Sequence, residues 1–280
     1  MLAPALAALA AGGAACGAPD WLSEGEAVDI PFTGLACATA QGTALAALAG
    51  QPVDAIAQVA ATRRKSLLLA DMDSTIVTTE TLDELAAEAG LKERIAAITA
   101  RAMNGELDFK AALRERVGML KGLPEAALAR TWETTELMPG ARALVATMRA
   151  AGAHAALVSG GFTFFTGRVA ALVGFHEHHA NTLIITEGRL EGTVGEPILD
   201  KDSKLATLKR LSQGLGLPME RTLTVGDGAN DLPMLQAAGL GIAFRAKPAV
   251  QAQAHARVNH GDLTALLFAQ GFRRAEFIAT

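Results

Sequence analysis

The stretch that decides the fold is SLLLADMDSTIVTT, residues 66–79. Leu67–Ala70 is an apolar run of the length expected for a strand buried on both faces. It stops at two carboxylates, Asp71 and Asp73, followed at once by Ser74 and Thr75. An open parallel α/β sheet carries its chemistry at the carboxyl ends of its strands. Residues i and i+2 of a strand share a face, so regular geometry puts both carboxylates on one side. Two such groups repel and are costly to desolvate unless a cation or a shared proton compensates. The pattern suits a nucleophilic carboxylate beside an acid–base carboxylate and a hard divalent ion. It is also what a strand end running into a solvated Asp-rich turn would look like.

Downstream, residues 82–89 have helical periodicity stopped by Gly90, and helical pieces continue over 92–103, 108–120 and 124–134. These make an insertion of about 55 residues before the next strand-like run, too long for an ordinary connection. An insertion directly after a catalytic strand reads as a lid over the site. Beyond Pro139-Gly140 the alternation is regular. It runs as a helix over 141–151, a strand over 153–158 ending in Ser159-Gly160-Gly161, and a helix over 162–173. A hairpin of 182–186 with 192–194 turns around Glu187-Gly188, and Asp202 or Ser203 caps a helix running to about residue 213. Residues 222–225 form a strand ending in Gly226-Asp227-Gly228, followed by a helix over 231–238, a strand over 240–244, and helices over 248–254 and 262–269. Strand–helix alternation of this kind predicts an α/β fold, a Rossmann-like doubly wound and mainly parallel sheet.

Upstream, residues 1–65 form a compositionally separate block, read as a small N-terminal accessory region. Ala-rich helical pieces over 2–11, 42–49 and 53–63 flank a loop containing Pro19, Gly25 and Pro31. The expected division is thus 1–65 accessory, 66–80 with 135–280 catalytic core, and 81–134 helical cap. The 280 residues are 50% apolar and 19% charged, enough for a sizeable core and too apolar for global disorder. The net charge of −4, without a basic stretch, argues against nucleic acid as a partner. Cys16 and Cys37 lack metal-ligand spacing and read as reduced thiols. The N-terminus, MLAPALAALAAGGAAC, lacks the basic residues of a signal peptide, and no segment offers the roughly 18 uninterrupted apolar residues of a membrane span. A lipoprotein-type site at Cys16 is the alternative; the expectation is a soluble cytoplasmic protein, with a homodimer left open.

Three strand ends therefore carry polar groups: Asp71 with Asp73, Ser159-Gly160-Gly161, and Asp227 with Asn230 and Asp231. Lys204 stands near the start of a helix between the last two. Taken singly, a Ser-Gly-Gly turn is usually only a turn, and a first-turn lysine is usually solvated. In this order, over roughly residues 66–262, the set resembles the four motifs of the haloacid dehalogenase superfamily. Within it the chain is similar to the phosphoserine phosphatase family. The first motif continues as DSTIVTTET with Glu80, and the insertion holds Met103-Asn104-Gly105, Asp108-Phe109 and Leu113-Arg114-Glu115-Arg116-Val117.

That resemblance implies roles. Asp71 would be the nucleophile forming an aspartyl-phosphate, and Asp73 the general acid and base. Mg²⁺ would be held by Asp71, the backbone carbonyl of Asp73 and Asp227, with Asp231 behind them. Lys204, Ser159, Gly160 and Asn230 would bind the phosphoryl group. Glu80 would pair with the ammonium of O-phosphoserine and Arg116 with its carboxylate, under Met103 and Phe109. The implied activity is Mg²⁺-dependent release of L-serine, the last step of its biosynthesis. A phosphotransferase passing the phosphoryl group to homoserine or another small hydroxyl is the same-fold alternative, and an amino-acid-sensing regulator the alternative of another class. His176, His178 and His179 around Glu177 read as a surface turn rather than a metal cluster. Gly226-Asp227-Gly228 lacks the Gly-x-Gly-x-x-Gly of a dinucleotide loop.

Overall fold

The computed structural model describes residues 2–103 and 106–279, the Met103 side chain excepted. In chain order the elements begin with α1 (Leu2–Ala11), β1 (Ala15–Cys16), β2 (Asp20–Ser23), β3 (Ala27–Asp29), β4 (Phe32–Thr33), α2 (Cys37–Ala47) and β5 (Leu67–Ala70). Next come α3 (Thr81–Glu88), α4 (Lys92–Met103), α5 (Phe109–Gly118), α6 (Ala126–Glu133), α7 (Ala141–Ala150), β6 (His154–Phe162), α8 (Thr163–Val173) and β7 (Glu177–Asn181). The chain closes with β8 (Leu183–Thr186), β9 (Arg189–Val194), α9 (Lys201–Gly214), β10 (Thr222–Gly226), α10 (Leu232–Ala237), β11 (Leu240–Phe244), α11 (Pro248–Gln251), β12 (Ala256–Val258) and α12 (Ala265–Ala269).

Strand β5 lies near the middle of a six-stranded sheet of order β12-β11-β10-β5-β6-β7, whose adjacent pairs are all parallel. All four of its residues are fully buried, which explains the unbroken apolar run. Leu68 and Ala70 join one core cluster while Leu67 and Leu69 join another, so both sheet faces are covered by helices. Each such leucine contributes roughly 1.5–3 kcal/mol of burial. The fold is α/β, Rossmann-like and doubly wound. The chain runs from β5 through β6 to β7 on one side and then from β10 to β12 on the other, so the crevice at the switch point lies at the carboxyl ends of β5 and β10. Helices α3–α6 fill the stretch between β5 and α7.

Several local expectations are corrected. Residues 53–63 form no α-helix, only a 3₁₀ turn at Ala60–Thr62. The Ala57 N–H donates to Gln41 Oε1, and Asp54 accepts the N–H groups of Asn259 and His260, so tertiary bonds hold the segment outside a helix. The loop expected around Gly25 contains short antiparallel strands. Ser159-Gly160-Gly161 is part of β6, which shifts register against β7 there, rather than a turn after it. Asp200, two residues before the nearer expected position, caps α9: its side chain accepts from the N–H groups of Asp202 and Ser203, while Ser203 Oγ accepts from the Asp200 N–H. His178 and His179 lie in strand β7 at the sheet edge, beside His176, rather than in a turn. There Glu177 accepts from His154 and His179 at 2.7 Å each. Strand β12 pairs with β11 beyond the last strand expected.

The β8–β9 hairpin turns through Glu187 and Gly188, both at positive φ. Its chain bonds to the segment between α5 and α6: Gly122 N–H to Leu190 O, Leu190 N–H to Leu123 O, and Glu125 N–H to Gly188 O. The N-terminal block docks on the other end of the chain. Arg63, held by Asp29 within the block, donates to Phe268 O, and Arg273 donates to both carboxylate oxygens of Asp20. No described helix is long and apolar enough to cross a membrane.

Candidate active site

Asp71 leaves the end of β5 and Asp227 the end of β10, and these strands are hydrogen-bonded neighbours. Carboxylate oxygens of Asp71, Asp227 and Asp231 lie within 4.8 Å of one another. The compact Gly226-Asp227-Gly228 turn is built by side chains folding back on it. A Cβ at Gly226 would lie 2.4 Å from Asp231 Cγ, and one at Gly228 2.2 Å from Asn230 Oδ1. Asp231 Oδ2 accepts the Gly228 N–H at 3.0 Å. The spacing of glycines, amide and acids is therefore a steric requirement of the turn.

Lys204, in the first turn of α9, is 2% exposed, and its ammonium lies 2.7 Å from Asp71 Oδ1 and 2.6 Å from Asp231 Oδ1. Burial opposes its charge, but Asp231 and Asp71 outweigh that and raise its pKa. Burial and then the neighbouring Asp231 hold Asp71 well above the ordinary carboxylate range. The same two causes bring Asp227 to about 7.

Asp73 is fixed from two sides. Its Oδ1 accepts both the N–H and the hydroxyl of Thr81, at 2.8 and 2.7 Å, and its Oδ2 accepts from Ser159 Oγ at 3.0 Å. Thr81 is the first residue of α3, so one carboxylate serves the site and anchors the first helix of the insertion. Burial raises the Asp73 pKa, and the bonds from Thr81 and Ser159 partly offset it. The Ser159 hydroxyl also accepts the Gly161 N–H at 2.8 Å, so in this arrangement its proton points to Asp73.

These groups stand at one wall of a cavity of about 500 Å³. The α3–α5 side contributes Glu80, Phe109 and Arg116, and the core side Gly160, Asp200 and Asn230. Phe109 closes on Gly160: a Cβ there would lie 3.0 Å from Phe109 Cζ. Glu80 accepts from Ser74 Oγ at 2.8 Å, and burial, then Asp73, raises it to about 8. Arg116 is 7% exposed and donates from Nε to Ala112 O and from Nη1 to Thr99 Oγ1. Of the residues singled out from sequence, Lys204 and Asp231 reach the cavity only through Asp71, to which the Lys204 ammonium ties them; the Met103 side chain, with Asn104 and Gly105, lies outside the described residues, and the others line it.

Three contributors were invisible in the sequence: Thr81, Thr99 and Asn181. The buried Asn181 side chain donates to Gly160 O and accepts the Leu199 N–H, tying β6 to the approach of α9. An isolated asparagine after three histidines carries no motif, and its role follows only from sheet order.

The cluster of Asp71, Asp227 and Asp231 offers only oxygen donors, and the Lys204 ammonium pairs with two of its three carboxylates, a set that fits a hard divalent cation.

Residues 68–236 match the family model of the haloacid dehalogenase-like hydrolases. The chain belongs to that family. Among these hydrolases it is 41% identical over 238 residues to a phosphoserine phosphatase of Streptomyces coelicolor, covering 85% of this chain and 58% of that one. A structure titled as a phospho-aspartyl intermediate analogue of phosphoserine phosphatase superposes with a TM-score of 0.70 at 38% identity, covering 73% of this chain and 98% of that one. A substrate-bound phosphoserine phosphatase complex gives a TM-score of 0.70 at 37% identity, with 73% and 97% covered. The chain spans about half to two thirds of the length of the first curated relatives it matches.

Proposed function

We propose that the protein hydrolyses O-phospho-L-serine to L-serine and phosphate through an aspartyl-phosphate on Asp71. The observation that carries this reading is the opposition of two chemistries across one cavity: Asp71 and Asp73 at the end of β5, with Lys204 of α9 paired to Asp71, and Glu80 and Arg116 on the helical side facing them. The likeness to a substrate-bound phosphoserine phosphatase supports it. Residues 66–80 with 135–280 act as catalytic core, 81–134 as the cap and 1–65 as an accessory region. The enzyme works on a small molecule in the cytoplasm.

An Asp71 oxygen attacks phosphorus while the bond from phosphorus to the serine oxygen breaks, and the departing oxygen takes its proton from Asp73. Burial, which favours the protonated Asp73, supports that first role. In the second half, Asp73 takes a proton from the attacking water as the Asp71–phosphorus bond breaks. Lys204, the Ser159 hydroxyl, the Gly160 backbone and Asn230 neutralise and orient the phosphoryl oxygens. Asp71, Asp227 and the Asp73 carbonyl would hold Mg²⁺, with Asp231 behind them, and the ion would supply charge neutralisation at the phosphoryl group. Glu80 receives the substrate ammonium and Arg116 its carboxylate, while Met103 and Phe109 keep water from the bound ester.

Phosphate release from L-phosphoserine, beside a panel of sugar phosphates, tests the reading with wild type and Arg116→Ala. A strong wild-type preference for phosphoserine, lost in the variant while a generic phosphoester is still cleaved, is the expected result. Equal hydrolysis of sugar phosphates by wild type would defeat the phosphoserine reading.

A further inference from the structure

Arg116 is buried, yet its fork is only partly used. Nε donates to Ala112 O at 3.2 Å within its own helix, and Nη1 donates to Thr99 Oγ1 at 2.9 Å. Nη2 has no acceptor among the described residues, and Arg116 lines the cavity. An arginine buried this deeply normally collapses onto the nearest carboxylate. The carboxylate that does most to support its charge is Asp83 on α3, but the two are not ion-paired. Thr99 of α4 stands between them: its hydroxyl accepts from Arg116 and lies 3.3 Å from Asp83 Oδ1 and 3.1 Å from Ile95 O. Burial works against the Arg116 charge, and Asp83 is the first group offsetting it. Asp83 therefore offsets the charge at one remove, through a hydroxyl, and leaves the outer edge of the guanidinium unoccupied.

We infer that Thr99 is a positioning residue for substrate selection, holding the Arg116 fork open toward a carboxylate-bearing substrate and keeping Asp83 from capturing it. The Asp83–Thr99–Arg116 relay joins three helices, α3, α4 and α5, so the carboxylate subsite exists only when all three are packed together. This rests on the assignment of Arg116 to the substrate carboxylate. Thr99 touches no reacting atom and acts only through Arg116.

The test compares Thr99→Val, which keeps the shape and removes the hydroxyl, with Thr99→Ser, which keeps the hydroxyl. Two substrates are used, L-phosphoserine and O-phosphoethanolamine, which has the ammonium and phosphate but no carboxylate. The expected result for Thr99→Val is a KM for phosphoserine raised about tenfold with kcat changed less than twofold, and an unaltered KM for phosphoethanolamine; Thr99→Ser restores the wild-type value. If Thr99→Val keeps the wild-type ratio of the two KM values, the inference is wrong. Should Thr99→Val fail to fold, Asp83→Asn carries the test: it keeps the Thr99 partner and removes the charge, so the phosphoserine KM should change while that for phosphoethanolamine does not. Wild type showing equal KM for the two substrates would instead overturn the assignment of Arg116 itself, which separates that failure from this one.

Discussion

The Lys204 ammonium bridges Asp71 and Asp231, 2.7 Å from one carboxylate and 2.6 Å from the other, in a place with almost no solvent. Replacing it with methionine preserves length and packing but leaves two buried carboxylates facing each other. Removing one partner of a buried pair costs about 3–5 kcal/mol. For a chain of this size that is a fall in Tm of roughly 10 °C. Lys204→Met should show this drop in EDTA, recover part of it with Mg²⁺, and lose at least about a hundredfold in kcat. Unchanged melting in EDTA would show that the carboxylates are relieved in some other way.

The acidic cluster makes metal affinity depend on pH. Burial and then Asp231 place Asp227 at about 7, so in the metal-free protein it is largely protonated at pH 6 and largely ionised at pH 8. A cation needs the ionised form, so Mg²⁺ binding should be about tenfold weaker at pH 6 than at pH 8 and should release protons. Calorimetry in two buffers of different ionisation enthalpy measures both.

Stability without metal should run the other way. Asp227 and Glu80, at about 7 and about 8, sit above their ordinary values. A raised carboxyl contributes stability that is complete below its unfolded pKa and lost as pH rises through the folded one. Metal-free protein should therefore melt at lower temperature at pH 9 than at pH 5.5, and Mg²⁺ should narrow the difference. A flat profile in EDTA would argue against both shifts.

Asp200 does two jobs that substitution can separate. It caps α9, the helix that carries Lys204, and it meets Lys110 of α5 at 3.1 Å. Asp200→Ala loses both and should cost about 1 kcal/mol through the cap. Asp200→Asn keeps capping ability and loses only a partly exposed ion pair, worth about 0–1 kcal/mol. Chemical denaturation should rank wild type close to the asparagine variant and clearly above the alanine variant, with kcat following the same order.

Gly160 and Phe109 should be energetically coupled. A methyl at residue 160 would meet the Phe109 ring at 3.0 Å and push the helix side of the cavity away. Gly160→Ala should raise KM several-fold, and adding Phe109→Leu should give back part of that loss. A double-mutant cycle with no coupling term would mean that the contact does not matter to binding.

The parts of the site legible in the sequence are those that one strand end or one turn carries by itself. Asp71 with Asp73, and Asp227 with Asn230 and Asp231, are local patterns, and close packing of Asp231 on Gly226 and of Asn230 on Gly228 accounts for the spacing of the second. Lys204 was readable as part of an ordered set, but its double bridge was not. Thr81, Thr99 and Asn181 act across elements, and nothing beside them in the chain signals the partner. Residues 53–63 were misread for the same reason: Ala-rich local propensity favours a helix, and bonds to Gln41, Asn259 and His260 override it. The histidines beside Glu177 look like a polar turn, yet they form an edge strand because only one of its sides must pair.

The β8–β9 hairpin changes how the helical insertion can move. Two covalent crossings alone would let α3–α6 swing as one panel about the line joining them. The backbone bonds from Gly122, Glu125 and Leu190 add a third fastening, made by groups of the main chain that among the standard residues only an exchange to proline removes. The whole-panel swing is thereby pinned. What ties α5 to the approach of α9 is of another kind: the partly exposed ion pairs of Lys110 with Asp200 and Arg114 with Glu196, which salt screens and a single substitution removes.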